Sequence, residues 1–359
     1  MGLQLIRPDT RINFMGKRML AFYLSAIVIL CGIGSIIYQG GLQYGIDFSG
    51  GINIQVRFAE DIEVGKLKDA VQGGGFPDIR AQRFGMEGKN QYLLRLPVQE
   101  VEPETVRSQV KQALEQNLAL GFEIQRLEMV GPKVGEDLKN KALQALFYAV
   151  LLISIYISGR FEQKWGTAAI MAGGLAGGLY LLQLLGLPLV YLIVAALLIT
   201  LGLCWYLKLN YALGAVVALV HDVAITVGVF SILGKDFDLT TVAALLTIIG
   251  YSLNDTIVVF DRVRENLKTK KRVPLFDTIN ASINQTLSRT FLTSGTTLLV
   301  VLSLVILGGG VIHDFAVALL IGVVVGTYSS IYIASSLLLG IGPTPEEEEE
   351  EPAGQTAEA

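Results

Sequence analysis

Charge is what this sequence has least of. Of 359 residues only 17% are Asp, Glu, Lys or Arg, while 52% are hydrophobic and the mean hydropathy is +0.53. That excludes an ordinary soluble domain, in which about 25% of residues are charged. Cysteine is scarce too. Cys31 and Cys204 both fall in apolar runs, and neither suggests a disulfide framework or a metal site. Between Trp165 and Leu207 there is no charged residue at all. What recurs instead is apolar runs of roughly 20 residues, the length needed to cross a ~30 Å hydrocarbon core as helix. The chain is expected to be a polytopic membrane protein.

The formal net charge of −4 comes largely from one place: six consecutive glutamates, Glu346 to Glu351, without which the balance is +2. They mark 343–359 as an acidic, solvated tail. The first span is read at 19–39. The basic segment 1–18, with Arg7, Arg11, Lys17 and Arg18, precedes it and belongs in the cytoplasm. The apolar run is long for a cleaved signal peptide, and no small-residue cleavage pattern follows. The long polar region 42–138 then lies outside. Five further spans are read at 140–158, 211–233, 240–260, 286–308 and 314–338. The uncharged run within 162–209 is expected to make two more, joined near Gly186-Leu187-Pro188, with one span plus a re-entrant piece as the alternative. Arg160 and Lys164 before it and Lys208 after it both fit the cytoplasmic side only if the chain returns. About eight spans also put both termini, and the basic loop "DRVRENLKTKKR" (261–272), in the cytoplasm.

The external region has strand-like alternation at 52–58, apolar residues at helical spacing in 63–72, strands in "IRAQRFG" and "QYLLRLP", a stronger amphipathic helix at 104–118, and a last strand at 122–131. The order β-α-β-β-α-β is a ferredoxin-like α+β pattern, which hosts many functions and names none. It shows no nucleophile–base constellation and no phosphate loop. Gly73-Gly74-Gly75 reads as a turn. The sequence calls for no cofactor, no metal, no nucleic-acid partner and no enzymatic activity.

Three ionisable groups stand inside the expected spans: Asp222 beside His221, Asp255, and Arg289 near a span end. Such groups are costly in hydrocarbon and are functional candidates. At 1.5 Å per residue, Asp222 is roughly 16 Å deep, Asp255 about 8 Å and Arg289 about 5 Å from the cytoplasmic edge, so an Asp255–Arg289 ion pair is geometrically open. Thr247, Tyr251 and Asp255 share a face at i, i+4 spacing, flanked by Ser252 and Asn254; such a stripe belongs against protein or water. A carboxylate that titrates there carries a proton, and an arginine that pairs only with the ionised form senses the change. The competing readings are a static Asp255–Arg289 packing pair, or an Arg289 that snorkels to the interface and pairs with nothing, with His221 capping a local network. Gly322, Gly326, Ser330 and Ala334 form a small-xxx-small face on the last span, and Gly173, Gly174, Gly177 and Gly178 a similar one earlier.

The motifs "YGIDFSGG", "HDV", "LTTVAALLTIIGYSLNDTIVVFDRVREN" and "INQTLSRTFLTSGTTL" resemble those of the SecF family, the smaller subunits of the SecDF protein-export complex, related to resistance-nodulation-division transporters. The likeness covers about 10–160 and 209–340. It implies a bacterial inner-membrane subunit that acts with SecD beside the SecYEG channel, drawing on the proton-motive force to help translocating preproteins across. By the same resemblance, Asp255 and Arg289 match residues tied to proton movement, and Asp222 a further intramembrane acid. Gly45, Asp47, Gly50 and Gly51 match the entry motif of the external domain. One departure stands out: about 48 residues, Glu162 to Leu209, intervene where the family passes almost directly from "RFE" to the "HD" span. Such an insertion has lipid, SecD or the channel within reach. The rival readings are a non-transporting scaffold subunit and a small-molecule exporter of the related superfamily.

Overall fold

The computed structural model describes residues 10–84, 88, 90–97, 102–118, 120–162, 165–184, 189–269 and 273–342. The expected turn at Gly186-Leu187-Pro188, the end of the basic loop at 270–272 and the acidic tail 343–359 lie outside the described residues, as does Arg7.

Among the described residues, six helical segments are long and apolar enough to cross a membrane: Met15–Tyr38, Pro132–Arg160, Asn210–Ile232, Leu239–Thr269, Leu275–Leu307 and Val311–Ile341. Helix α1 (Arg18–Tyr38) leads into a four-residue helix α2 (Ile46–Ser49) and the sheet. Helix α5 (Pro132–Glu162) leaves the sheet, with proline at its first position, where a missing N–H is harmless. The uncharged run forms two apolar helices, α6 (Trp165–Leu184) and α7 (Leu189–Tyr206). The core follows as α8 (Asn210–Ile232), α9 (Leu239–Thr269), α10 (Leu275–Leu307) and α11 (Val311–Ser329), the last running through a π-helical turn at Ser330–Ala334 into α12 (Ser335–Ile341).

Two helices overrun the expected spans. The basic stretch read as a loop is helical as far as Thr269. Arg262 and Glu265 pair at 2.9 Å across one turn. Val263 is buried, and the Asn266 amide donates to Ser282 Oγ (2.8 Å) and Gln285 Oε1 (2.9 Å) on α10. These contacts with a neighbouring helix extend the hairpin past the apolar limit. Likewise α5 begins at Pro132, inside the region assigned to the external domain.

Small residues let the helices close. A Cβ on Gly32 of α1 would stand 2.6 Å from Gly228 Cα of α8, and one on Gly322 of α11 would stand 2.2 Å from Ile248 Cγ1 of α9. Gly326 faces Ser252 in the same way, and the Ala334 carbonyl lies 3.3 Å from a Cβ built on Gly214. The small-residue face therefore packs α11 onto α9 and its continuation onto α8, as small-xxx-small faces do. In α6, Gly174 and Gly178 meet Leu203 and Ile199 of α7, whereas Gly173 and Gly177 meet nothing.

The sheet comprises β1 (Gly51–Phe58), β2 (Arg80–Arg83), β3 (Gln91–Leu96) and β4 (Phe122–Val130), in the order β2-β3-β1-β4 with every pairing antiparallel. Helices α3 (Val64–Gln72) and α4 (Pro103–Asn117) supply Leu67, Val71, Val106, Val110 and Leu114 to the core beneath Ile52, Ile54, Val56, Tyr92 and Leu94. The opposite face is polar and looks toward the helix ends. There Arg95 grips Asp236, in the α8–α9 loop, with two bonds of 2.6 and 2.5 Å. Beside it the Gly45 N–H donates to Phe237 O (3.0 Å) and the Phe237 N–H to Gln43 O (2.7 Å). Gly45 and Asp47 therefore tie the sheet's entry to the loop between the two acid-bearing helices.

Candidate functional site

Two separate carboxylate centres sit in the helix core. Asp222 is fully buried, at 0% exposure. Its Oδ2 accepts from Ser252 Oγ of α9 (2.5 Å) and Ser329 Oγ of α11 (2.8 Å). Its Oδ1 lies 2.8 Å from His221 Nδ1, whose Nε2 is 2.8 Å from Ser25 Oγ of α1. Ser25 in turn lies 3.1 Å from the Tyr328 hydroxyl, which donates to Ala21 O at 2.6 Å.

With the Tyr328 proton on Ala21 O, Ser25 is free to donate to Tyr328 and to accept from His221 Nε2, with a second proton between Nδ1 and Asp222. In that arrangement the His221–Asp222 pair shares two protons over three sites and is neutral as a unit, either as imidazolium and carboxylate or as two uncharged groups. A neutral pair explains how a carboxyl sits at zero exposure among apolar helices, where a lone ion is prohibitive.

Asp255 is arranged differently. It is 3% exposed and accepts from Ser294 Oγ of α10 at 3.1 Å. Ser294 also lies 2.8 Å from Thr327 Oγ1 of α11 and receives the Tyr251 hydroxyl at 3.2 Å. Among the described residues no salt bridge reaches Asp255. Arg289, on α10, is exposed, and its charge acts on Asp255 through space rather than by contact. The ion pair left open by the depth argument is not formed.

The expected polar stripe divides. Tyr251 belongs to the Asp255 centre, whereas Ser252 belongs to the Asp222 centre. Asn254 and Thr247 are exposed, and Thr247 satisfies its hydroxyl on Ala243 O of its own helix (2.8 Å). Ser330 bonds back to Thr327 O (3.0 Å), and its own carbonyl receives Ser335 Oγ (2.9 Å) across the π turn. Sequence reasoning missed Ser25, Ser294, Thr327, Tyr328 and Ser329. Ser329 adjoins Ser330, which drew attention only as a small residue. A lone hydroxyl in an apolar helix usually bonds its own i−4 carbonyl, so nothing in the sequence marks which ones reach across.

At the external entry, Gly50 (φ +71°) and Gly51 (φ +135°) hold backbone conformations open to glycine, and a Cβ on Gly51 would stand 2.8 Å from Leu96 O. Asp47 Oδ2 accepts the Leu239 N–H (3.1 Å) at the start of α9, while Asp238 caps the same turn through Thr241. Burial pushes the Asp47 carboxyl above the usual carboxylate range; the Leu239 N–H opposes this, and the Asp238 charge adds to it.

The chain as a whole has known relatives. The family described as "Protein export membrane protein SecD/SecF, C-terminal" matches residues 109–202 and 177–343, and the "SecD/SecF GG Motif" matches 36–62. The protein translocase subunit SecF of Vibrio alginolyticus is 40% identical over 339 residues, covering 94% of this chain and 92% of the relative. That of Escherichia coli O157:H7 is 36% identical over 334 residues, covering 92% and 88%. The crystal structure of SecDF from Thermus thermophilus aligns with a TM-score of 0.69 at 32% identity over 94% of this chain, which spans 39% of that longer chain. With its apolar helices and these relatives, the chain is a multi-pass membrane protein of the protein-transport Sec pathway. It belongs to the SecD/SecF family of protein export membrane proteins.

Proposed function

We propose that this chain works with SecD to couple the proton-motive force to preprotein movement through the SecYEG channel, in the bacterial inner membrane with both termini cytoplasmic. Family membership supports the translocation role. The Thermus thermophilus protein named SecDF, 40% of which aligns with this chain, supports SecD as partner. The positive flanks support the orientation, α6 and α7 fit a membrane hairpin that makes eight spans, and the sheet order fits a ferredoxin-like domain.

The observation that carries the proton coupling is the position of Ser294. Thr327 gives its proton to Val323 O (2.8 Å), so the Ser294–Thr327 bond needs the Ser294 proton. The bond to an ionised Asp255 needs that same proton. When Asp255 is ionised, Ser294 donates to it. When Asp255 is protonated, the acid donates to Ser294, which is released to donate to Thr327. Binding a proton thus frees the Ser294 hydroxyl to bond α11 while the acid keeps its bond to Ser294; in the ionised state the Ser294–Thr327 bond is given up, although no donor is left unmet.

Asp255 is the exchanging acid in this reading. Arg289 and Asn254, exposed on membrane helices, are groups that hydrocarbon does not accept, and they mark the face that SecD covers. Asp222, the further proton-coupling candidate, is held on four helices by a neutral pair, which favours a fixed role. The test is Asp255→Asn in vesicles with SecD and the channel: assembly is expected to persist and proton-driven stimulation of export to be lost. Loss of assembly, restored when Arg289 is also neutralised, would support a static pair instead.

A further inference from the structure

The uncharged run read as an insertion forms one wall of a cavity. About 370 Å³ of space lies between α5, α7, α8 and one residue of α9, bounded by Phe147, Ile193, Ala196, Leu197, Val223 and Ala224 among other apolar side chains. The polar side chain on its wall, Thr200, has its hydroxyl bound to Ala196 O at 2.7 Å and offers the cavity no donor. A buried water needs two to four polar partners, and an apolar cavity of roughly 150 Å³ stays dry yet admits benzene. This larger one has no polar claim on water.

Its depth says what fills it. Ile193 to Thr200 lie about 6–17 Å along α7 from the end nearest the sheet, and Leu219 to Val227 about 7–20 Å from the corresponding end of α8. The cavity thus belongs to the leaflet on the sheet's side. Its walls continue into Leu152 (63% exposed), Val194 (50%) and Leu198 (63%), residues of the same helices that face hydrocarbon. We propose that this cavity holds one acyl chain of a membrane phospholipid, wedged between the inserted hairpin and α8, the helix that carries Asp222. The hairpin is then a lipid-binding element, and its seating on α8 depends on an occupied cavity.

The test uses the full chain in bilayer nanodiscs containing a phospholipid with a photoactivatable diazirine in its acyl chain. Irradiation is expected to label peptides covering Ala196–Thr200 and Val220–Val227. Ala224→Phe, which fills the space from α8, is expected to lower that labelling about fivefold by removing the room for a ligand. Labelling at the lipid-facing Leu299 of α10 is expected to stay unchanged. Ala196→Phe, filling from α7, repeats the measurement on the other wall, with unchanged melting as the criterion of folding. Labelling confined to Leu152 and Leu198, or undiminished in both filled variants, overturns the proposal. So does aqueous maleimide reacting readily with Ala196→Cys, which would make the cavity wet. A disulfide between two copies of Ala196→Cys would put a protein helix there and overturn it equally.

Discussion

The two buried aspartates lie 33 positions apart on adjacent helices, yet their surroundings differ in kind. Asp222 has three donors from three residues, a histidine that neutralises it in place, and connections to α1, α9 and α11. Among the described residues Asp255 has one donor, Ser294, which it shares with Thr327, and no contacting cation, Arg289 being exposed. Burial does not separate them, since Asp222 is 0% and Asp255 3% exposed. What separates them is whether neutrality is supplied by the protein or must come from outside. In the proposed reading the acid held by His221 and two serines is the fixed one. A carboxylate without a contacting cation can be made neutral only by taking a proton.

Breaking the contrast from the Asp222 side gives the largest expected effect. Asp222→Ala strands His221 and Ser252, while Ser329 keeps Gly326 O at 3.1 Å; with two buried donors unmet at about 1–3 kcal/mol each, a loss of about 2–6 kcal/mol is expected in the unfolding of the purified protein. Asp255→Asn, by contrast, is expected to change stability by less than about 1 kcal/mol, because an amide still engages Ser294. Gly322→Leu tests the helix contact that brings Ser252 and Ser329 together. Ile248 is in its way at 2.2 Å, and overpacking of this kind costs about 1–3 kcal/mol, with Asp222 the first group to lose its ligands.

Ser294→Ala sharpens the other side. It leaves Asp255 chargeable but removes the group that reports its state to α11. Proton uptake should persist while stimulation of export falls, measured on the same vesicles. An export defect without any change in proton uptake is the signature of a lost relay; loss of both would make Ser294 part of the proton path itself.

The smallest effect belongs to the external domain, where ordinary titration rules apply. The Tyr92 hydroxyl at 2.6 Å, followed by Arg83, holds the Asp61 carboxyl below its usual range. A lowered folded-state pKa contributes stability above the unfolded value and loses it as pH falls through the folded one. Asp61→Asn should therefore flatten the acid-side loss of amide protection around β3, read by hydrogen exchange. Asp47 has the opposite sign, since its raised pKa favours the folded state at low pH and that advantage disappears as pH rises through it.

The sequence made the two kinds of region legible to different degrees. In the sheet, residues alternate in and out along β3, so Tyr92, Leu94 and Leu96 announce their burial by spacing alone. In the membrane helices nearly every position is apolar, so the ionisable groups, the polar stripe beside Asp255 and the small-residue faces were what stood out. Asp222 and Asp255 were visible because a carboxyl there is expensive. Ser25, Ser294 and Thr327 were not, because a hydroxyl is cheap in a helix that offers its own carbonyls. Which serine reaches which acid depends on helix rotation, set by contacts such as Gly322 on Ile248. Arg95 and Asp236 pair across 141 residues of chain, a distance at which spacing carries no signal.

Proton exchange at each acid is directly observable in the carboxyl stretching band of the infrared spectrum, recorded on the reconstituted protein as pH is varied. A titrating carboxyl band is expected in the unmodified chain and in Asp222→Asn, and is expected to vanish in Asp255→Asn. A band that survives Asp255→Asn and disappears in Asp222→Asn would contradict the assignment and make the histidine-paired acid the one that exchanges.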